Sequence, residues 1–269
     1  MSNIPQIGVV GASGRMGQML IKSISNSEKM KLSAATERTD HPWVGKSLLD
    51  VNPEYSLAVT VQDNPEVAFK DVDAVIDFSS PTSSTYLAEL ASKLKFVHVI
   101  GTTGINQDQE KAIKESSGQA VIIKAGNMSM GVNLLVKLTE KVAASLDADF
   151  DIEIVEAHHH HKVDAPSGTA LMLGNAAAKG RKLELMDHID EPRYGHVGAR
   201  KRGNIGFAAI RGGNIVGEHE VIFAGNGERI MLSHIATDRS IYSSGALKAA
   251  LWGLEQPSGL YDMFDVLGL

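Results

Sequence analysis

A short apolar run, a glycine-rich turn and an amphipathic stretch follow one another at the start of the chain. They are Ile7–Val10, residues 11–17 with the sequence GASGRMG, and Met19–Ile24. This order predicts a buried parallel strand, a tight turn and a helix. The pattern is GxxGxxG and not GxGxxG, but its glycines still allow a pyrophosphate to approach the backbone amides. Its position between a strand and a helix favours dinucleotide binding.

An acidic and a basic residue follow the second apolar stretch, Leu32–Thr36. Glu37 stands twenty residues beyond Gly17, where a carboxylate can bond the ribose hydroxyls of a dinucleotide. Arg38 beside it can receive a 2′-phosphate. The pair predicts that both NADH and NADPH are used, whereas the alternative is a surface ion pair at the end of a strand.

Apolar runs alternate with helical patterns through the first 150 residues. The runs Ala74–Phe78, Phe96–Ile100 and Ala120–Lys124 are typical of buried strands, with helices expected near 83–94 and 107–117. We therefore predict an α/β fold with a Rossmann-like, doubly wound parallel sheet. The loops GTTG at 101–104 and AGNM at 125–128 follow two of these strands, where cofactors bind in such sheets. They are either cofactor contacts or simple turns.

The sequence EAHHHHKVDAPSGTA, at residues 156–170, places four histidines and a lysine next to one another. Burying these groups without partners would cost several kcal/mol, about 2–7 for each polar group, so the segment is expected to line a cleft. The alternation in Asp151–Ala157 predicts a strand that ends at the histidines. Ser167 is the expected N-cap of a helix, and the first turn of that helix suits a carboxylate.

Three interpretations of the histidine segment remain open on this evidence. A metal site is disfavoured because adjacent histidines seldom point at one ion and the HExxH spacing is missing. A solvated histidine-rich or tag-like loop is the second. General acid–base chemistry on an anionic substrate is the interpretation we favour, because histidine titrates near neutral pH. We expect no metal.

The character of the sequence changes after the histidine segment. Three alternating runs, 205–210, 218–223 and 229–235, are typical of antiparallel strands, and residues 212–214 and 225–227 have turn chemistry between them. They predict a second α+β domain with an open mixed sheet, whose bare face is either solvated or used for self-association.

Two domains are expected. Residues 1–130 would bind the dinucleotide, with 239–269 packing back on them, and residues 131–238 would bind substrate and mediate oligomerisation. The basic, glycine-containing stretch 193–202 is expected to be either a solvated loop or a lid for an anionic ligand.

Composition narrows the classes of function. The formal charge of −6 argues against nucleic acid as a partner. The chain contains no cysteine, which excludes a disulfide framework and a thiolate nucleophile. No run of 18 apolar residues and no signal-peptide pattern occurs, so neither a membrane span nor secretion is expected. These features predict a cytoplasmic location.

Taken together, the motifs resemble those of the bacterial dihydrodipicolinate reductase family, also called the 4-hydroxy-tetrahydrodipicolinate reductases. The resemblance covers nearly the whole chain, and the histidine–lysine segment is its most specific part. The matching motifs are GASGRMG at 11–17, Glu37-Arg38, GTTG at 101–104, AGNMSMGVN at 125–133, EAHHHHKVDAPSGTA at 156–170 and the ending SGLYDMFDVLGL.

The resemblance implies a homotetramer of the diaminopimelate route to lysine that reduces a small cyclic dicarboxylate to tetrahydrodipicolinate with NADH or NADPH. It implies that His158 and Lys162 exchange protons in catalysis. It further implies that His159 binds substrate and that Gly168 and Thr169 hold a carboxylate. The cofactor contacts that it implies are Gly11, Ala12, Ser13, Gly14, Arg15, Met16, Glu37, Arg38, Gly101, Thr102, Thr103, Ala125, Gly126, Asn127 and Met128.

A few positions depart from the family pattern. Relatives often carry phenylalanine where Met128 stands, which weakens any expectation of aromatic contact with the nicotinamide ring. Gly126 and Met130 also differ from the forms expected. His160 occupies a less constrained position and is treated as a bystander.

Two rival functions stay open. One is another two-domain NAD(P)-dependent reductase acting on an aspartate-derived metabolite, which would need a different proton-donor segment. The other is a non-enzymatic nucleotide sensor, which would keep the glycine turn but could dispense with Lys162.

Overall fold

The structure is a computed structural model that describes residues 4–55, 57–190 and 193–269. The strands are β1 Gln6–Val10, β2 Lys31–Thr36, β3 Val61–Gln62, β4 Ala74–Asp77, β5 Val97–Ile100, β6 Val121–Lys124, β7 Asp151–His158, β8 Ile205–Arg211, β9 Gly217–Ala224, β10 Arg229–Ala236 and β11 Gly259–Tyr261. The helices are α1 Arg15–Ser25, α2 Leu48–Val51, α3 Pro65–Ala68, α4 Pro81–Leu94, α5 Gln107–Ser116, α6 Met130–Ser145, α7 Gly168–Arg181, α8 Ser240–Gly253 and α9 Met263–Leu267.

The chain divides into two compact units. The first contains the residues up to Met128 together with Ser240–Gly268, and the second contains Ser129–Arg239 with Leu269. Each unit has its own sheet and its own helices.

A parallel sheet forms the centre of the first unit. Its strand order is β3-β2-β1-β4-β5-β6-β11, and every pair in it is parallel. The order reverses between β1 and β4, which is the switch point at which doubly wound sheets bind their ligands. The predicted Rossmann-like fold is confirmed.

Alternate residues of the strands face opposite sides of this sheet. Ile76 packs in a core cluster with side chains of α1 and α8, while its neighbour Val75 packs in a second cluster with α4 and α5. Both side chains are fully buried. The sheet is therefore covered on both sides, which explains why its strands read as continuous apolar runs.

A mixed sheet with strand order β10-β9-β7-β8 forms the centre of the second unit. One face packs against α6 and α7, and Ile154 and Phe223 on that face are fully buried. The two helices pack closely at Gly180, where a Cβ would lie 2.4 Å from the carbonyl oxygen of Glu140. The opposite face carries apolar side chains that stay exposed, such as Ile235 at 62%. The predicted second, open mixed sheet is confirmed.

The turn expected between β8 and β9 is present, but the two strands that it joins do not pair with each other. Residues 212–214 do form a turn between β8 and β9, but these two strands are not neighbours, because β7 lies between them. Strand β7 pairs parallel to β8 and antiparallel to β9. The turn at 225–227 joins β9 and β10, which do pair antiparallel, as expected. The short elements α2, α3, α9, β3 and β11 lack enough periodicity to be predicted.

No helix in the described part of the chain is long and apolar enough to cross a bilayer.

Candidate active site

The histidine segment begins where β7 ends, and the turn between β8 and β9 holds it in place. The amide of Gly212 donates to the carbonyl of His158 over 3.0 Å, and the amide of His159 donates to the carbonyl of Ile215 over 2.8 Å. The segment is thus bonded to its neighbours along its backbone. This order argues against a freely solvated loop.

The carboxylate of Glu156 is the centre of a hydrogen-bond network beneath this segment. Glu156 is only 1% exposed. Its Oε2 lies 2.6 Å from Nδ1 of His158, and its Oε1 accepts from the amide of Ser167 over 3.0 Å. Arg211 on β8 donates from Nη1 and Nη2 to the two oxygens, each over 2.7 Å. The whole carboxylate is therefore paired.

Glu156 stays ionised despite its burial. Burial alone would raise the pKa of this carboxyl, but the hydrogen bonds from Arg211, His158 and Ser167 outweigh it and hold the pKa below its ordinary value of 4.5. An ionised carboxylate can only accept, so Nδ1 of His158 is the donor in its bond to Glu156. Proton exchange by His158 is then left to Nε2, the other ring nitrogen.

Arg211 also connects Glu156 to the lysine of the motif. Its Nη2 donates to the carbonyl of Asp164 over 2.7 Å, and Oδ1 of Asp164 lies 2.9 Å from Nζ of Lys162. The hydrogen bond from Lys162 holds the pKa of Asp164 below its ordinary value. His158 and Lys162 therefore belong to one bonded network. Arg211 was not predicted, since nothing local marks a residue 55 positions from its partner.

The segment after Lys162 leads into α7, whose first turn is the predicted carboxylate site. Ser167 is the N-cap, as predicted, and its Oγ accepts from the amide of Ala170 over 3.1 Å. The first turn of α7 carries no acidic side chain. A Cβ placed on Gly168 would meet nothing within 4 Å. An anion can therefore approach this end of the helix, where the dipole favours negative charge.

His159 lies in positively charged surroundings. Partial burial lowers the pKa of His159, and the charge of Arg239 lowers it further. Nδ1 of His159 has no hydrogen-bond partner among the described residues. Arg239, at the end of the second unit, is a further residue that the sequence did not single out. His160 donates from Nδ1 to the carbonyl of Gly213 over 2.8 Å.

Among residues 4–55, 57–190 and 193–269, no three histidine, cysteine, aspartate or glutamate side chains are arranged to hold a metal ion.

The glycine turn between β1 and α1 has the geometry of a phosphate site. Gly11 has a φ of +67°, which glycine adopts without strain. A Cβ at Gly17 would lie 2.1 Å from the carbonyl oxygen of Gly11, so only glycine lets α1 pack on the turn. Gly14 is the N-cap of α1, and no acidic side chain lies in the first turn. The first turn of α1 itself therefore contributes no carboxylate that would compete with a phosphate for its amides.

Glu37 follows β2 directly and reaches the glycine turn. Its Oε1 accepts from the amide of Ser13 over 2.9 Å and from the hydroxyl of Ser13 over 2.5 Å. Burial would raise the pKa of Glu37, but the bonds from Ser13 and the amide of Arg38 outweigh it and lower the pKa. The side chain of Arg38 is exposed. An ionised acid and an available guanidinium thus stand side by side.

The other predicted cofactor loops, at 101–103 and 125–128, follow β5 and β6, so they lie at the same edge of the parallel sheet as the glycine turn. Thr102 is 8% exposed, and within the described chain its Oγ1 has no hydrogen-bond partner. The side chain of Met128 is 1% exposed and packs in the core. A cofactor contact of Met128 would therefore use its backbone.

The basic loop 193–202, which precedes β8, contains arginines that are already paired with acidic side chains. Arg193 donates to Glu153 and to Asp190 over 2.6 Å each, and Arg200 donates to Glu153 over 2.8 Å. These two arginines anchor the loop on β7. A lid would need mobile cations to meet an anionic ligand. Arg193 and Arg200 do not meet this need, because both are paired with acidic side chains.

Models of known protein families match both halves of the chain. The model of the dihydrodipicolinate reductase N-terminus matches residues 5–128, and that of the C-terminus matches residues 131–267. The chain belongs to the dihydrodipicolinate reductase family. It is an NAD(P)H-dependent oxidoreductase of lysine and diaminopimelate biosynthesis.

Relatives of this family match the chain along its whole length. The 4-hydroxy-tetrahydrodipicolinate reductase of Ruegeria pomeroyi is 57% identical over 269 residues, with both chains fully covered. That of Rhizobium meliloti is 52% identical over 262 residues, which cover 97% of this chain and 96% of the relative.

Solved structures share the fold. A dipicolinate-bound dihydrodipicolinate reductase from Paenisporosarcina sp. TG-14 matches with a TM-score of 0.78 at 24% identity, covering 98% of this chain and 99% of the other. A probable dehydrogenase from Thermotoga maritima matches with a TM-score of 0.61 at 12% identity, covering 97% and 92%. The two-part architecture is thus common to other dehydrogenases.

The first unit fits the nicotinamide cofactor of the dihydrodipicolinate reductase family. The turn at Gly11 and Gly17 keeps side chains away from the end of α1. Thr102 holds a buried hydroxyl that lacks a partner within the described chain, at the edge where the cofactor of such sheets binds. Both observations are expected of a site shaped for a dinucleotide.

The Glu156 network predicts a specific dependence of stability on pH. Glu156→Gln removes a buried charge that pairs with Arg211 and should lower the free energy of unfolding by about 3 kcal/mol at pH 7. Because the folded pKa of Glu156 lies below 4.5, this contribution is complete above that value and is lost as the pH falls through the folded pKa. Urea unfolding across this range should show the two proteins converging in acid.

The exposed residue Glu218, on β9 of the same sheet, is the matched control. Glu218→Gln should change the free energy of unfolding by less than about 0.5 kcal/mol. A constant difference between wild type and Glu156→Gln down to low pH would contradict the ionised state of Glu156.

Proposed function

We propose that the second unit binds the dicarboxylate substrate and delivers the proton that completes its reduction, with His158 and Lys162 as the catalytic residues. The observation that carries this proposal is the bonded path from Glu156 through Arg211 to Asp164, which reaches His158 at one end and Lys162 at the other. A purely structural ion pair would have no need of both groups.

The reaction adds a hydride and a proton. Reduced nicotinamide, when bound, supplies the hydride to C4 of the conjugated imine that remains after water has left the hydroxylated substrate. The added electron pair moves the C4–C5 double bond to C5–C6 and leaves negative charge on the ring nitrogen. A proton at C5 then restores the imine and completes tetrahydrodipicolinate.

Lys162 is the group we assign as the proton donor. Its Nζ lies 2.9 Å from Oδ1 of Asp164, which orients it. His158 offers Nε2 as a second proton-exchanging atom, because Nδ1 is committed to Glu156. Such positioned groups contribute about 10²- to 10⁴-fold to a proton transfer.

Binding of the substrate carboxylates is assigned to His159, Gly168 and Thr169. Gly168 and Thr169 form the first turn of α7, where backbone amides and the helix dipole attract an anion. His159 stands in the field of Arg239, which adds positive charge to the same unit. Two carboxylates held in this way would keep the ring in one orientation.

The cofactor is assigned to the first unit, with Glu37 and Arg38 choosing between its two forms. The carboxylate of Glu37 suits the ribose diol of NADH, and the exposed guanidinium of Arg38 suits the 2′-phosphate of NADPH. The amide and hydroxyl of Ser13 donate to the same carboxylate of Glu37 that the ribose hydroxyls would use. Ser13 therefore competes with the ribose for Glu37. We therefore propose that the enzyme accepts both cofactors.

The enzyme is further proposed to be a homotetramer that associates through the bare face of the second sheet. Apolar side chains stay exposed on this face, with Ile210 at 52%, Met231 at 54% and Ile235 at 62%. An exposed apolar sheet face of this kind is typically covered in an assembly. A cytoplasmic location is proposed because the chain has no cysteine and uses a reduced nicotinamide cofactor.

The proposal is tested by following the oxidation of NADH and of NADPH, with substrate made in situ from pyruvate and aspartate semialdehyde by the preceding synthase. Rapid, substrate-dependent oxidation of both cofactors is the expected result. A folded protein that binds NADH but oxidises neither cofactor would contradict it.

Loss of the proton donors should reduce turnover and spare the cofactor site. Lys162→Ala and His158→Ala are each expected to lower kcat by about 100-fold or more, because each removes a proton-exchanging group. The dissociation constant of NADH, measured by fluorescence titration, should stay within about twofold. Lys201→Ala and His160→Ala are the matched controls and should keep wild-type kcat. Either catalytic variant with wild-type kcat would refute the assignment.

The ribose assignment predicts opposite effects of two neighbouring substitutions. Glu37→Ala should raise the KM for NADH by about tenfold or more, because a hydrogen bond to a charged group is worth about 1.5–3 kcal/mol, and leave the KM for the dicarboxylate unchanged. Arg38→Ala should raise the KM for NADPH more than that for NADH. The exposed Glu54, changed to alanine, is the control. Equal rises in KM for NADH and for the dicarboxylate would show that Glu37 does not serve the ribose.

A further inference from the structure

His219 is a buried histidine that touches two parts of the proposed substrate site. It lies on β9, opposite Glu156 on β7, and is 5% exposed. Its Nε2 is 3.0 Å from the hydroxyl oxygen of Ser167, the N-cap of α7. Its ring also packs edge-on against the ring of His158, with centroids 5.1 Å apart. No sequence motif marks this residue.

Ser167 is held from three sides. Its amide donates to Glu156 over 3.0 Å, its Oγ accepts from the amide of Ala170 over 3.1 Å, and the same Oγ bonds His219. Ser167 is 2% exposed, so its hydroxyl has little access to water as a substitute partner. Loss of the imidazole would leave this hydroxyl one partner short, at the point where α7 begins.

The ring of His219 is neutral at the pH of the cytoplasm. Burial lowers the pKa of His219 to about 4, and the electrostatic effect of the neighbouring His158 ring acts in the same direction. A neutral imidazole bonds a hydroxyl in either tautomer, since the hydroxyl can donate or accept.

We propose that His219 is a positioning residue that fixes Ser167, and with it the carboxylate-binding amides of Gly168 and Thr169, relative to the proton-exchanging ring of His158. One residue on β9 thereby sets the spacing between the part of the site that holds the dicarboxylate and the part that acts on it. This inference rests on the proposed function of the segment 158–169. It predicts that substitution of His219 changes substrate affinity and leaves cofactor affinity unchanged.

The test compares His219→Leu, His219→Gln, Ser167→Ala and the double variant His219→Leu/Ser167→Ala. The probe is dipicolinate, a planar dicarboxylate, titrated calorimetrically into the full-length enzyme with NADH present. His219→Leu should weaken dipicolinate binding and raise the substrate KM by about 5- to 10-fold, the effect of one hydrogen bond of about 1 kcal/mol or slightly more. The KM for NADH should stay within about twofold.

The remaining variants separate positioning from simple stability. His219→Gln keeps a group that can bond Ser167 and should recover part of the affinity. The double variant should be no weaker than the worse single variant, because both substitutions break the same bond. His234→Leu is the matched control, since His234 on β10 pairs with His219 and is the next imidazole along this row of the sheet. It should leave dipicolinate affinity unchanged.

The outcomes are distinguishable. Equal dipicolinate affinity in His219→Leu and His234→Leu, or equal losses for dipicolinate and NADH, would overturn the positioning role. If His219→Leu does not fold, His219→Gln and Ser167→Ala carry the same comparison. Wild-type protein that neither binds dipicolinate nor oxidises NADH with the substrate would instead overturn the proposed function, and the role of His219 with it.

Discussion

The pairing of the buried carboxylate of Glu156 is the interaction on which the second unit of this protein depends. A carboxylate that is 1% exposed is stable only if donors replace its water, and four donors do so, from Arg211, His158 and Ser167. Those donors come from β8, from the end of β7 and from the start of α7. One charge thus ties together three elements and fixes the ring orientation of His158.

The two units solve different problems with different chemistry. The first must bring a backbone close to a dinucleotide, so it uses glycines, of which Gly17 has no room for a Cβ at all. In the proposed function the second must hold protons and anions together, so it uses a paired buried acid, histidine side chains and a helix N-terminus. Each of these groups of residues follows the end of a strand. Side chains and backbone amides there can bind a ligand without disrupting the hydrogen bonds of the sheet.

Local patterns predicted the parts of the structure that depend on local physics. The alternating and continuous apolar runs located the main strands, and Ser167 was recognised as an N-cap because its chemistry is confined to four residues. The insertion of β7 between β8 and β9 was not predictable, since alternation says which face is buried and not which strand is adjacent. The pairing of Arg211 with Glu156 was not predictable either, because it depends on β7 and β8 being adjacent.

The tautomer of His158 tests the central role of Glu156 most directly. Two-bond proton–nitrogen correlation spectra of protein with ¹⁵N-labelled histidine report which ring nitrogen carries the proton, and His158→Gln identifies the signal. We predict that Nδ1 carries the proton in the wild-type protein and that this preference disappears in Glu156→Gln. A His158 ring protonated on Nε2 alone in the wild-type protein would contradict it.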